Sequence, residues 1–146
     1  MYKFFGKRVL DIAISLWTLI IVSPLLAVIS IILLVHTRKS PFFFQTRVGY
    51  RGKLFRVFKF KTLTDARDSE GLLLPDDLRS FPLGTFLRRY SLDELPQLVN
   101  IIKGDMSIVG PRPWIPEQLD VFPGRCRMAR CSVRPGLTGM AQVYGR

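Results

Sequence analysis

The sequence contains one histidine, His36, and only two cysteines, Cys126 and Cys131. Their C-x4-C spacing has no second Cys or His pair to complete a zinc site, so a zinc-built domain is excluded. The two thiols read as ordinary reduced cysteines in a reducing compartment. Acidic residues are scarce too: 11 Asp and Glu stand against 22 Lys and Arg, a net charge of +11. That surplus points to a polyanionic partner, whether nucleic acid, anionic lipid or phosphorylated substrate, and composition alone does not choose among them. There is no internal repeat, no low-complexity linker and, after Val35, no second run long and apolar enough to enter a bilayer. At 146 residues the chain is one domain, or one membrane element with one small domain.

What is present begins with the residues from Ile12 to Val35, a stretch without a single charge. As a straight helix it would be about 36 Å long, enough to cross a bilayer. It is too long for a signal-peptide core and has no small-x-small cleavage site. Pro24, preceded by Ser23, falls near its middle and removes one helical hydrogen bond, which the Ser23 hydroxyl is placed to compensate. Both flanks are basic: Lys3, Lys7 and Arg8 before, and Arg38, Lys39, Arg47 and Arg51 after. Positive charge favours the cytoplasmic side, so both ends belong there. A re-entrant helix, bent at Ser23-Pro24 with halves of about 18 Å, satisfies both features. A kinked spanning helix is the alternative that these residues leave open. Asp11, at the mouth of the segment, is expected to pair with Lys7 or Arg8 in a structural role.

The remainder reads as mostly α with a small β-hairpin. Pro41-Phe42-Phe43-Phe44 suggests interfacial packing or a first strand, and Gly49-Tyr50-Arg51-Gly52 supplies a turn. Lys53 to Thr62 reads as the second strand, with Lys59 and Lys61 on one face and Phe58 and Phe60 on the other. Thr64 to Asp77 is polar and loop-like, with room for a short helix, and Phe81 to Tyr90 forms a short helix carrying Arg88 and Arg89. Ser91 to Lys103 reads as a helix with Leu95, Leu98, Val99 and Ile102 on one face and a stop at Lys103-Gly104. The division expected is a re-entrant membrane helix over 1–38 and a compact cytoplasmic domain over 39–146.

Four short motifs could carry chemistry. Asp93-Glu94 opens a helix, and Ser91-Leu92-Asp93-Glu94 fits a capping box, although Pro96 lacks an amide that such a helix would use. The functional reading makes the pair a carboxylate nucleophile and its partner. In Gly110-Pro111-Arg112-Pro113 two prolines restrict the backbone around one guanidinium, which suits bidentate phosphate binding or simply a rigid turn. Lys59-Phe60-Lys61-Thr62 is a phosphate clamp or a solvated face. Arg134-Pro135-Gly136 is a type II turn whose arginine could reach a phosphate. A diphosphate substrate needs several cations, a metal and a nucleophile. Lys59, Arg88, Arg112 and Arg134 supply cations, and Mg2+ commonly binds through one or two carboxylates plus substrate oxygens.

In order along nearly the whole chain, the motifs resemble those of the bacterial sugar transferase family, the monotopic polyprenyl-phosphate phosphoglycosyl transferases. The matching segments are Lys7-Arg8-Val9-Leu10-Asp11, Ser23-Pro24, Phe58 to Thr62, Arg88 to Gln97, Lys103 to Pro113 and Val133 to Val143. The resemblance implies a re-entrant helix at the cytoplasmic face of the bacterial inner membrane. It implies that Asp93 attacks a UDP-sugar and expels UMP, that Glu94 acts as general base or orients the site, and that Mg2+ sits near Asp93. Arg112 would hold phosphates, with Lys59, Arg88 and Arg134 assisting. Polyprenyl phosphate would be the acceptor, membrane lipids the surroundings, and nucleic acid no partner. Dimerisation, the sugar and the receiving pathway are left open. The family pattern also implies a further, largely helical segment beyond Gly145-Arg146, which this sequence does not carry. The Arg125 to Cys131 region is more basic and richer in cysteine than the family pattern implies, and its role is left open. The reading from another class is a membrane-anchored basic module that binds anionic lipid or nucleic acid without catalysis, for which Asp93-Glu94 and Pro-Arg-Pro have no use.

Overall fold

The structure is a computed structural model and describes residues 2–119 and 124–140. Ala141 to Val143 of the last motif and Gly145-Arg146 lie outside the described residues, as do the side chains of Lys3, Arg125 and Cys126. Helix α1 runs Tyr2–Thr37 with Pro24 inside it. Strands β1 (Phe42–Val48) and β2 (Leu54–Phe60) pair as a two-stranded sheet. Short helices α2 (Asp76–Arg79) and α3 (Pro82–Arg89) follow, then a 3-10 turn over Leu92–Gln97 and α4 (Leu98–Lys103). Strand β3 (Ser107–Val109), helix α5 (Gly124–Cys131) and strand β4 (Gly136–Thr138) complete the described chain.

The residues sort into two compact units. One contains 1–23, 44–58 and 97–146, the other 24–43 and 59–96. In the first, Leu98, Ile101 and Met106 are buried, with Leu19, Val22, Phe55, Ile108 and Leu137 packed on them. In the second, Ile29 and Leu33 of α1 are buried with Phe60, Phe81 and Leu87. Phe42 stacks on Phe60, with ring centroids 5.5 Å apart. Burial along β2 changes face: Val57 is buried on the odd face and Phe60 on the even one. The simple alternation expected for this strand therefore holds only in part, because its two ends serve different cores.

Proline 24 has a local consequence in α1. It lacks the amide that would bond the carbonyl of Ile20, and the Ser23 hydroxyl donates to that carbonyl instead, at 2.8 Å. The flanks of α1 leave much of its apolar surface open: Trp17, Ile21 and Val35 are each more than half exposed. The helix is long and apolar enough to enter a bilayer, and a small fraction of its apolar surface is covered by protein.

Three readings of the sequence are corrected. The expected single helix over Ser91 to Lys103 is a 3-10 turn followed by six α-helical residues. Pro96 cannot donate back to Leu92, so an α-helix does not propagate through it. The capping box is not formed in its usual geometry, because Ser91 has φ +56° and an N-cap needs extended backbone. Pro135-Gly136 is not a turn: Gly136 begins β4, which pairs in parallel with β3, Ser107 opposite Gly136 and Val109 opposite Thr138. A Cβ on Gly136 would lie 2.1 Å from the Gly110 nitrogen, so that glycine serves backbone approach. The expected helix stop is present, with Gly104 at φ +103° closing α4.

Asn100 of α4, which no sequence pattern singled out, is 3% exposed and supplies β2 with a substitute strand edge. Its Oδ1 accepts from the Phe58 amide at 3.0 Å and its Nδ2 donates to the Arg56 carbonyl at 2.7 Å. Its Nδ2 also donates to Asp105 Oδ2 at 3.2 Å.

Candidate active site

Within the second unit the structure brings together Lys59, Arg88, Asp93 and Glu94. Asp93 lies in the 3-10 turn and is 7% exposed. Burial pushes its carboxyl above the usual range, and the neighbouring Glu94 charge pushes in the same direction. The Lys59 and Arg88 charges act on it in the opposite direction. The site is thus an ionisable carboxyl held out of water beside a second carboxyl and within the field of two cations.

Each cation is placed by its element. Lys59 stands near the end of β2 with its ammonium 5.7 Å from the Phe43 ring centroid. Lys61, on the same face, is committed elsewhere: Asp65 accepts from it at 2.5 Å and also from Lys39 at 3.1 Å. Arg88 sits in the last turn of α3, where its Nε donates to Thr62 Oγ1 at 2.9 Å. Its other side lies 3.7 Å from Asp76. Gly84, one turn earlier, makes this contact possible, because a Cβ there would stand 2.2 Å from the Thr62 carbonyl oxygen. Thr62, just beyond β2, therefore receives α3 at both Gly84 and Arg88.

Arg112 and Arg134 belong to the first unit. Arg112 is exposed in the loop after β3, and its carbonyl accepts from Arg130 at 3.1 Å. Arg134 is held by the Gly104 carbonyl at 2.9 Å and lies over the Tyr50 ring at 5.5 Å. It lines a cavity of about 200 Å3 with Lys7, Arg8, Asp11 and Ser107.

Asp11 does more than pair at the helix mouth. Lys7 donates to its Oδ2 at 2.9 Å, as its i,i+4 spacing suggests. Ser107 Oγ donates to the same oxygen at 2.7 Å, and the Ile108 amide to Oδ1 at 3.3 Å. Asp11 is 6% exposed, so this network fastens α1 to β3. The i,i+4 spacing was the available signal for Lys7; nothing local marks Ser107 as the other partner.

Among the described residues no cluster of three or more His, Cys, Asp or Glu could hold a metal by itself. The Asp93-Glu94 carboxyl pair fits the other mode, in which Mg2+ takes one or two carboxylates and completes its shell with substrate oxygens. Cys131 is a free thiol.

A buried carboxyl set beside an acidic neighbour and two cations is chemistry suited to a phosphorylated substrate. Sequence comparison gives the family: the chain belongs to the bacterial sugar transferases, whose family profile matches residues 2–146. It is 41% identical over 140 residues to the "Uncharacterized sugar transferase EpsL" of Bacillus subtilis, covering 96% of this chain and 69% of that protein. It is 36% identical over 158 residues to the "Exopolysaccharide production protein ExoY" of Sinorhizobium fredii, covering 97% of this chain and 70% of the relative. The "UDP-glucose:undecaprenyl-phosphate glucose-1-phosphate transferase" of Klebsiella pneumoniae shares 38% identity over 143 residues, covering 95% of this chain and 31% of its own length.

Proposed function

We propose that this protein transfers a sugar 1-phosphate from a UDP-sugar to polyprenyl phosphate, releasing UMP, at the cytoplasmic face of the bacterial inner membrane. The relatives named for undecaprenyl-phosphate sugar-phosphate transfer support the reaction class. The observation that carries the mechanism is Asp93, buried beside Glu94 and acted on by Lys59 and Arg88.

In this reading an oxygen of the Asp93 carboxylate attacks the sugar-bearing phosphorus. The bond from that phosphorus to the bridging oxygen breaks, and UMP leaves with the electron pair. The product on the enzyme is an aspartyl-phosphosugar. An oxygen of polyprenyl phosphate then attacks the same phosphorus, forming a polyprenyl diphosphosugar and regenerating the carboxylate. Glu94 orients the acceptor or takes its proton. Lys59 and Arg88 balance charge at the phosphates. Mg2+, when bound at the carboxylates, supplies charge neutralisation on the diphosphate. The same reading makes α1 a re-entrant helix, with the Ser23 hydroxyl serving the carbonyl that Pro24 leaves without its amide.

The test is donor and Mg2+ without acceptor. UMP should rise to about one equivalent per active site and stop, because the carboxylate is consumed. Adding polyprenyl phosphate should restart it. Absence of any UMP until both substrates are present would overturn the two-step mechanism.

A further inference from the structure

The cavity at the start of α1 carries more positive than negative charge. Three cations, Lys7, Arg8 and Arg134, line it against one carboxylate, Asp11. That carboxylate is already engaged by Lys7, Ser107 and the Ile108 amide. The two guanidiniums lie close enough for each charge to act on the other. The Asp11 and Asp105 charges act on Arg8 in the opposite direction.

The contacts that fix these arginines come mainly from carbonyls. Arg8 donates to Ile102 O at 3.1 Å and to Met106 O at 3.3 Å, and Arg134 donates to Gly104 O. Carbonyls orient a guanidinium without cancelling its charge. The Tyr50 ring contacts two guanidiniums, those of Arg51 at 5.1 Å and Arg134 at 5.5 Å from its centroid. Like charges held together in this way favour a bound anion, and arginines are suited to phosphate oxygens.

Size and position narrow the occupant. About 200 Å3 is below the roughly 300–1,000 Å3 typical of sites for whole drug-sized ligands, so a head group fits better than a nucleotide sugar. Arg8 lies only four residues before Ile12, about 6 Å along the helix from the uncharged run. Beyond it Leu10, Ile14, Trp17 and Ile21 are exposed on α1. An acyl or prenyl chain could follow that surface while its phosphate occupied the cavity.

We infer that this cavity binds the phosphate head of a membrane lipid, with Arg8 and Arg134 as its anchors. Assigning the acceptor polyprenyl phosphate as that lipid rests on the transferase reading above. Binding itself requires no transfer, so the two can fail separately.

The experiment titrates detergent-solubilised full chain with farnesyl phosphate by calorimetry, without sugar donor. Inorganic phosphate and dihexanoyl phosphatidylglycerol are titrated alongside. Val109 lines the cavity and is 59% exposed, so a charge can be introduced there with little effect on packing. Val109→Glu should weaken farnesyl phosphate about tenfold, and Val109→Lys should retain or tighten binding. Leu54→Glu, at an exposed position outside the cavity lining, should change nothing. Arg134→Gln should weaken binding at least as much as Val109→Glu. Farnesyl phosphate binding indifferent to Val109→Glu would overturn the site. Inorganic phosphate binding as tightly as farnesyl phosphate would overturn a lipid occupant. Phosphatidylglycerol binding as tightly would support a lipid-phosphate site and overturn its assignment to the acceptor.

Discussion

Asp93 is under two opposing demands. In the proposed role of nucleophile it must be ionised, yet burial and the Glu94 charge favour its protonated form, and Lys59 and Arg88 restore only part of the balance. Its pKa is raised, so activity should fall with decreasing pH before an ordinary carboxyl would protonate. Glu94→Gln removes the anionic neighbour and should move this acid limb to lower pH, whatever activity remains. Lys59→Met removes a cation and should move it to higher pH. Profiles of kcat/KM against pH for the three proteins check the order, and limbs that coincide would remove Asp93 from the rate-determining ionisation. Asp93→Asn should lower kcat on the order of 10^4-fold or more, as loss of a nucleophile does in other enzymes. It should also raise the melting temperature at neutral pH. A carboxyl with a raised folded pKa contributes stability that is lost as pH rises through that value. The advantage of the Asn variant should therefore vanish below the unfolded value of about 3.9.

At the scale of elements, α3 and the segment just after β2 position Arg88 through one close approach. Gly84→Ala places a methyl group 2.2 Å from the Thr62 carbonyl, and backbone must move to admit it. We expect a cost of about 1–3 kcal/mol in urea unfolding. We also expect kcat/KM to fall by up to about 10^2-fold, the scale of a 1 Å misplacement. Phe86→Ser on the exposed side of the same helix should leave the rate near wild type. What the sequence made legible follows the same logic of local signals. The apolar run of α1, the Gly49 to Gly52 turn and the helix carrying Arg88 are each encoded within a few residues. The 3-10 turn at Asp93 was harder, because its apolar spacing also fits an α-helix and only Pro96 argues otherwise. Strands β3 and β4 are three residues each, and their pairing depends on the close approach of Gly110 and Gly136. The site residues Asp93, Glu94, Lys59 and Arg88 were visible as motifs. The Asp11–Ser107 bond spans 96 positions and leaves no periodic trace.

At the scale of the whole molecule, the question is how a chain that handles a water-soluble donor meets an acceptor held in lipid. Helix α1 has 36 residues, or about 54 Å if straight, well beyond a hydrocarbon core of about 30 Å. Its two ends carry cations that resist translocation, and in the re-entrant topology proposed above the apolar surface enters the bilayer while both ends stay on the cytoplasmic side. The proposal predicts one labelling pattern. With Cys126 and Cys131 replaced by Ser, a single cysteine at Gly6 or at Ser40 should react with a membrane-impermeant maleimide in inverted vesicles and not in intact spheroplasts. Reaction of the two positions from opposite sides would make α1 a spanning helix. Pro24→Ala together with Ser23→Ala gives Ile20 its amide partner back and removes the hydroxyl that substitutes for it. If that local break sets the course of the helix, one of the two cysteines should become reactive from the periplasmic side in this variant. If both remain cytoplasmic, the basic flanks, rather than the break, hold the ends on one side.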